Sequence, residues 1–316
     1  MCASAAPWDG WRVIFSSRET LRRTRRDPRA TRRAAFAAPL FSLLDSLFSV
    51  FFPSDCRLCR TPLVNISRIP VCRECLAAIE PTRAPQCVVC GDRLISASLL
   101  RGDGRCTNCC DFEPNFERAV SFGEYEGDLR GLIHLLKYES VTPVAAPLGR
   151  MLAQVMQELL AGQPGSVNPL LIPVPLHPSR RRARGFNQAE LIARAAAKRF
   201  SPRLEVASGI LLRQRDTISQ VGLSREERIE NMRDAFRVSD RGRGCIQGRT
   251  LMVVDDVMTT GTTLSECARV LKQAGAERVW AVTVARAFQG AASGQTADRG
   301  EQEAIEAEAV AVTASV

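Results

Sequence analysis

The sequence predicts an α/β protein built on a parallel sheet, with a cysteine-rich segment ahead of it. Three observations predict this. Short, almost wholly apolar runs at Leu170–Val174, Thr250–Val254 and Val279–Val284 read as buried strands. Stretches with helical apolar spacing alternate with them, which is the order of a doubly wound parallel sheet. Four C-x-x-C pairs are confined to residues 56–109.

Of the 316 residues, 45% are hydrophobic and 24% charged, a globular composition with enough apolar residues for a sizeable core. The net charge of +9 is unevenly placed. Residues 1–35 hold nine arginines against Asp9, Glu19 and Asp27, so this arm supplies +6 of it. The remainder is close to balanced, and the arm is expected to be disordered and solvated rather than a broad nucleic-acid surface. Phe36–Phe52 is an apolar run of 17 residues, interrupted by Pro39 and Asp45. It falls short of a spanning length and reads as a helix packed on the protein, so no integral membrane span is expected. No cleavable signal peptide opens the chain, and the protein reads as soluble and cytoplasmic.

The cysteine block follows. Cys56-x-x-Cys59 precedes Cys72-x-x-Cys75 by twelve residues, and Cys87-x-x-Cys90 precedes Cys106-x-x-Cys109 by fifteen. Two such pairs supply four thiolates in tetrahedral geometry, the closed pattern of a structural Zn2+ site. Spacing leaves two questions open: whether the quartets are sequential or interleaved, and whether Cys110 replaces Cys109. Cys2, Cys245 and Cys267 have no partner pair and read as non-ligating. His134 and His177 read as structural.

From about residue 116 the character changes. Ala119–Tyr125 alternates as a strand, Gly127 turns the chain, and Leu129–Lys137 and Val144–Leu160 have helical spacing. Leu170–Val174 leads into a Pro/Arg-rich loop, Asn187–Phe200 reads as a helix, and Leu264–Ala274 as another, closed by Gly275. The tail beyond residue 290 is Ala/Glu/Gln/Gly-rich and is expected to be disordered. The parts are thus an arm (1–35), an apolar helix with a double zinc ribbon (36–115), a main domain (116–289) and a tail (290–316).

The most informative stretch is Leu251–Leu264. An apolar strand ends in Asp255 and Asp256, passes through Thr259-Thr260-Gly261-Thr262-Thr263, and enters a helix. Thr263 and Glu266 stand at capping-box spacing. A Thr/Gly turn at a helix N-terminus offers backbone N–H groups, hydroxyls and the positive dipole end to a phosphate. Adjacent carboxylates at the C-terminal end of a sheet strand suit sugar hydroxyls or Mg2+. Upstream, Arg180, Arg181, Arg182 and Arg184 crowd a turn at Gly185, a second candidate anion pocket. The polar stretch Leu212–Asn231 reads as a loop able to fold over a ligand.

The segment Val253–Thr262 closely resembles the phosphoribosyl pyrophosphate signature of type I phosphoribosyltransferases. Together with Arg184-Gly-Phe-Asn-Gln188, Leu129–Tyr138 and the cysteine block, it resembles the ComF family, which includes competence-associated and gluconate-utilisation proteins. The resemblance covers roughly Leu40–Arg286. It implies a type I phosphoribosyltransferase-like sheet, with Asp255 and Asp256 holding ribose hydroxyls and Thr259, Thr260, Gly261, Thr262 and Thr263 cradling the 5′-phosphate. It also implies a pyrophosphate loop at Arg184 and Gly185, with Lys137 and Tyr138 at the site's edge. On this reading Asp255, Asp256 and Arg184 are the candidate catalytic residues, phosphoribosyl pyrophosphate with Mg2+ is the ligand, and the activity is phosphoribosyl transfer to an acceptor the sequence does not name. The competing reading is a non-catalytic zinc-ribbon protein that senses this ligand or binds single-stranded DNA. Single-stranded DNA and competence proteins are its candidate partners.

Overall fold

In a computed structural model of the chain, the described residues are 55–63, 67–94, 103–200, 202–215 and 225–287. The Arg-rich arm, the apolar run Phe36–Phe52 and the C-terminal tail lie outside them.

The centre is a four-stranded, all-parallel sheet. Its strands are β1 (Arg118–Glu124), β2 (Leu170–Pro173), β5 (Thr250–Met258) and β6 (Arg278–Arg286), in the spatial order β1-β6-β5-β2. The two inner strands carry the longest apolar runs because both their faces are covered. On one face, Met252, Val254, Trp280, Val282 and Val284 pack with α3 (Gly127–Lys137), α4 (Ala145–Ala161) and α6 (Gln188–Ala197). On the other, Leu251, Val253, Val279 and Ala281 pack with α9 (Thr262–Gln273). A small antiparallel hairpin, β3 (Leu211–Arg213) with β4 (Phe236–Val238), joins that second face. The helix α7 (Arg225–Met232) lies between the hairpin strands, and α8 (Asp240–Ile246) precedes β5.

Two expectations are corrected. Residues Pro178–Arg184 form a helix, α5, rather than a loop. Pro178 occupies a first-turn position where its missing N–H costs nothing, and the His177 side chain caps the turn by accepting from the Ser179 amide. Nor do Thr263 and Glu266 make a capping box. The N-cap of α9 is Gly261, two residues earlier than Thr263, with no side-chain capping bond. Glu266 instead accepts from the Asp234 amide at 3.1 Å and pairs with Arg269 at 2.7 Å.

The cysteine segment wraps the outer edge of β1. The Ala119 amide donates to the Val89 carbonyl at 2.7 Å, and the Thr82 amide to the Phe122 carbonyl at 2.9 Å. A strand edge that would otherwise offer unpaired groups is thereby covered. The segment's two halves straddle the sheet. Cys56, Val71 and Cys75 belong to the core beneath α3 and α4, whereas Cys87, Val89, Cys106 and Cys109 belong to the core beneath α9. The halves also repeat in backbone. Each begins with an isolated bridge, Asp55 with Pro62 and Gln86 with Arg93, and each ends in a short helix capped by a cysteine. Those helices are α1 (Arg73–Ala78, after Cys72) and α2 (Thr107–Asp111, after Cys106).

Candidate functional site

Strand β5 runs four residues beyond the apolar core expected for it, so both acids lie within the strand. Asp255 pairs in register with Thr283 of β6. Each carboxylate closes a local turn on the following amide: Asp255 Oδ1 accepts from the Asp256 amide at 2.9 Å, and Asp256 Oδ1 from the Val257 amide at 2.7 Å. Those contacts use one oxygen of each acid.

The second oxygen of Asp256 is the more telling one. Oδ2 lies 3.1 Å from Lys137 Nζ, at the end of α3, with both side chains largely buried. The two are in ion-pair contact, but the oxygen has no aligned hydrogen bond. It is therefore a buried acceptor with spare capacity, held beside a positive charge. Burial alone would lower the Lys137 pKa; the charge of Asp256, with Tyr125 and Asp255 behind it, more than reverses this and raises it. Asp255 goes the other way. Burial, and then the neighbouring Asp256 charge, push it up to about 7, with Lys137 opposing.

Next to Lys137, Tyr138 links the acids to the arginine-rich corner. The Arg184 guanidinium sits 5.9 Å over the Tyr138 ring. His134 packs edge-on to the same ring at 5.0 Å, and its Nε2 meets the Tyr125 hydroxyl at 2.9 Å. Arg184 ends α5, and Gly185 follows in the left-handed conformation. Asn187 then anchors the corner to the sheet. Its side chain donates to the Val174 carbonyl at 2.9 Å and caps α6 through the Ala189 amide. Thus Arg184 and Gly185 sit at a helix end rather than in an open loop, on the same side of the sheet as the acids.

The turn after β5 positions the threonines. Gly261 has φ +80°, which bends the chain into the first turn of α9. The hydroxyls of Thr260 and Thr262 lie 2.9 Å apart, so the turn is self-organised before any ligand enters. Beside it, a cleft of about 580 Å3 is lined by Thr260, Gly261, Thr262, Ser265 and Arg269, together with the segment Phe112–Asn115. This cleft does not include Asp255 or Asp256, so the turn separates it from the acids.

The cysteines resolve cleanly. Cys56, Cys59, Cys72 and Cys75 converge, as do Cys87, Cys90, Cys106 and Cys109, with the sulfurs of each set within 4.8 Å of one another. The sets are sequential, and Cys109 rather than Cys110 completes the second. Backbone amides point at the sulfurs, Cys72 N–H to Cys56 Sγ and Cys106 N–H to Cys87 Sγ, each at 3.3 Å. Four thiols so close do not ionise together unaided. Hydrogen bonds from Cys109 and Cys90 hold Cys87 well below the usual thiol range, and Cys87 and Cys90 in turn push Cys109 above it. A tetrahedral divalent cation is the species that makes four thiolates favourable at once, so the donor set fits such an ion. As expected, Cys267 is buried in the α9 core and joins neither set.

Sequence comparisons identify the family. The family description "Phosphoribosyl transferase domain" matches residues 187–310. The DNA utilization protein YhgH of Salmonella typhi is 34% identical over 230 residues, covering 72% of this chain and 94% of its own length. Competence protein F of Haemophilus influenzae is 30% identical over 238 residues, covering 75% of this chain and 99% of its own. The chain belongs to the ComF family. Of the candidate site residues of this ComF protein, Asp255, Asp256 and the Thr259–Thr263 turn fall within the matched residues 187–310. Among the described residues, no helix is long and apolar enough to cross a membrane.

Sequence reasoning missed the ion pair itself. Lys137 and Tyr138 entered only through the family resemblance, because a lysine at the end of an amphipathic helix carries no local sign of a buried partner 119 positions away. It also missed the hairpin β3–β4, whose strands flank the polar stretch read as a single loop; residues 216–224 of that stretch lie outside the described residues.

Proposed function

We propose that this ComF-family protein binds phosphoribosyl pyrophosphate with Mg2+ and transfers its phosphoribosyl group to an acceptor, with Zn2+ in the two cysteine tetrads. The observation that carries the reading is the continuity of Asp255, Asp256 and the Thr259–Thr263 turn at the C-terminal end of β5. One short segment offers two carboxylates for a diol and a helix N-terminus for a phosphate.

The residues divide the work. Thr259, Thr260, Thr262 and Thr263, with the amides around Gly261, receive the 5′-phosphate at the positive end of α9. Asp256 Oδ2 accepts from a ribose hydroxyl, and Asp255 beside it takes the other. Lys137 holds Asp256 in place and supplies positive charge at the rim of the site. Arg184, seated over Tyr138, faces the departing pyrophosphate, and positive charge fixed there stabilises the oxocarbenium-like separation of charge. Mg2+, when bound, supplies further neutralisation of the pyrophosphate, and the two carboxylates are the hard oxygen donors suited to it. Neither acid is assigned as a general base.

The names of the relatives, for DNA utilization and competence, support a link between this activity and the handling of DNA; we place it in the cytoplasm, with single-stranded DNA as the candidate partner. The exposed arginines of α5 favour a nucleic-acid contact as the second reading, in which the ligand is sensed rather than turned over. Calorimetry separates these. The wild type is expected to bind phosphoribosyl pyrophosphate only with Mg2+, and the Asp255→Asn/Asp256→Asn variant, still folded, is expected not to. Full-strength binding by the variant would sink the assignment. Salt-sensitive binding to single-stranded DNA without any ligand binding would favour the second reading.

A further inference from the structure

The two tetrads differ in their surroundings. Cys59 of the first set is exposed and Cys72 half-exposed, so water screens that group. All four cysteines of the second set are buried. A four-thiolate site with a divalent cation carries a net double negative charge, and burying it calls for nearby donors.

Arg286 meets that need from an unexpected direction. It is the last residue of β6, and it is only 7% exposed. Its Nε donates to Asp92 Oδ1 at 3.0 Å, and its Nη2 to Cys90 Sγ at 3.7 Å. Asp92 lies two residues beyond Cys90, so the guanidinium grips the second knuckle at both points. Nη1 is buried without a hydrogen-bond partner, so the residue is not placed there merely to satisfy itself.

The backbone of the same residue is tied to the phosphate turn. Arg286 stands opposite Met258 in the β5–β6 register, and the Ala287 amide donates to the Met258 carbonyl at 2.9 Å. Met258 immediately precedes Thr259, and its Cε lies 2.6 Å from where a β-carbon on Gly261 would be. A second connection runs parallel to this one. The chain leaving the second tetrad reaches Asn115, whose backbone and side-chain nitrogens both donate to Ser265 Oγ in the first turn of α9, each at 3.0 Å. Next to it, Phe116 packs in the same core as the second set of cysteines and comes within 3.7 Å of that Gly261 position.

We propose that Arg286 is a positioning residue that couples the second cysteine tetrad, and not the first, to the Thr259–Thr263 turn. The tetrad, with its metal, sets the guanidinium; the guanidinium sets the end of β6; and β6 sets the start of the turn. The inference rests on reading the tetrads as metal sites and the turn as the phosphate cradle of the proposed function. Because coupling between two sites is reciprocal, a ligand that orders the turn also slows loss of metal from the second tetrad.

The test uses the full-length zinc-loaded protein, Arg286→Met, Arg286→Lys, and Asp92→Asn as a milder change should the methionine variant fold poorly. Zinc release to a chromogenic chelator is followed in time, and amide exchange is followed by mass spectrometry across residues 259–265. Wild type is expected to lose one zinc quickly from the open first tetrad and one slowly. Arg286→Met should weaken retention of the slow zinc by roughly tenfold or more, leave the fast one unchanged, and speed exchange in the turn. Arg286→Lys should restore part of both. A purely structural role would instead speed both zincs together and raise exchange throughout the sheet, which would overturn the proposal. So would a loosened slow zinc with unchanged exchange in the turn. Phosphoribosyl pyrophosphate with Mg2+ is then added to the wild type. Slower release of the second zinc supports the coupling. Binding seen by calorimetry without that effect overturns it. No binding at all, with the zinc and exchange effects intact, removes the ligand reading and leaves the positioning role standing.

Discussion

Lys137 Nζ stands 3.1 Å from Asp256 Oδ2, joining the last turn of α3 to the middle of the acidic end of β5 across 119 residues of sequence. The pair is a lock and a placeholder together. It neutralises a carboxylate that the sheet has buried, and it keeps a positive charge beside the acids to which the proposed function assigns the ribose hydroxyls.

Removing Lys137 alone therefore strands Asp256. Lys137→Met is expected to destabilise the fold by about 3 kcal/mol, the lower end of the range for breaking a buried pair because the lysine keeps some contact with water. Combining it with Asp256→Asn should recover most of that loss. Urea denaturation of the two single variants and the double variant measures it. Equal stability of Lys137→Met and wild type would remove the pair from any role in the fold.

Asp255 makes stability pH-dependent in an unusual direction. Its carboxyl is raised from an ordinary 3.8 to about 7, chiefly by burial and then by Asp256. Between those values the folded chain holds a proton that the unfolded chain has lost. Stability from this group is therefore fullest below about pH 4 and declines as pH rises towards 7. Ligand binding through a cation needs the ionised acid, so it should strengthen over the same window and release a proton on binding. Titration calorimetry in two buffers of different ionisation enthalpy reads that proton at pH 6. Asp255→Asn should abolish the buffer dependence; if it persists undiminished, another group is responsible.

The contrast between these residues and the strand that carries them shows what the sequence made legible. Leu251–Val254 was readable because a central parallel strand is apolar on both faces, and the C-x-x-C quartets because ligand spacing is itself the signal. The continuation of β5 past the acids through Val257 and Met258 was not readable, since aspartates are poor strand formers and the strand is carried across them by pairing with β6. The helix α5 was hidden for a related reason: none of its residues is buried, so it has no apolar period to detect. Glu266 was recruited by Arg269, three residues on in the same helix, and by the amide of Asp234 ahead of β4, and so did not cap its own helix. Arg286 and Asp92, 194 positions apart, lie beyond any local pattern.

The two knuckles offer a matched comparison. Arg60, following Cys59, has φ +65°, and Gly91, following Cys90, has φ +66°. The same backbone turn is strained in one copy and relaxed in the other. Arg60→Gly is expected to stabilise the first knuckle by about 1 kcal/mol, since a side chain in the left-handed region costs that much. Gly91→Ala should be worse than the mirror of that change. Its added β-carbon would meet the Ala119 carbonyl oxygen at 2.8 Å, against the edge of β1, where backbone cannot yield cheaply. Thermal unfolding of the zinc-loaded variants checks both signs, and a stabilising Gly91→Ala would mean the second knuckle is not seated on β1 as described.

Gly261 separates backbone conformation from crowding within the Thr259–Thr263 turn. At φ +80°, alanine there carries a backbone cost of about 1–2 kcal/mol whatever its surroundings. Its β-carbon would also meet Met258 Cε at 2.6 Å, but that atom is the free end of a flexible side chain and can move aside. The loss in stability is thus expected to be conformational rather than steric. A double-mutant cycle with Met258→Leu should then show coupling below about 0.5 kcal/mol. Ligand affinity is the more sensitive readout, because Met258 displaced by alanine shifts the residue that leads into Thr259. Gly261→Ala should therefore weaken phosphoribosyl pyrophosphate binding by more than its loss of stability implies. Coupling of several kilocalories in the cycle would instead make crowding against Met258 the reason glycine is needed here.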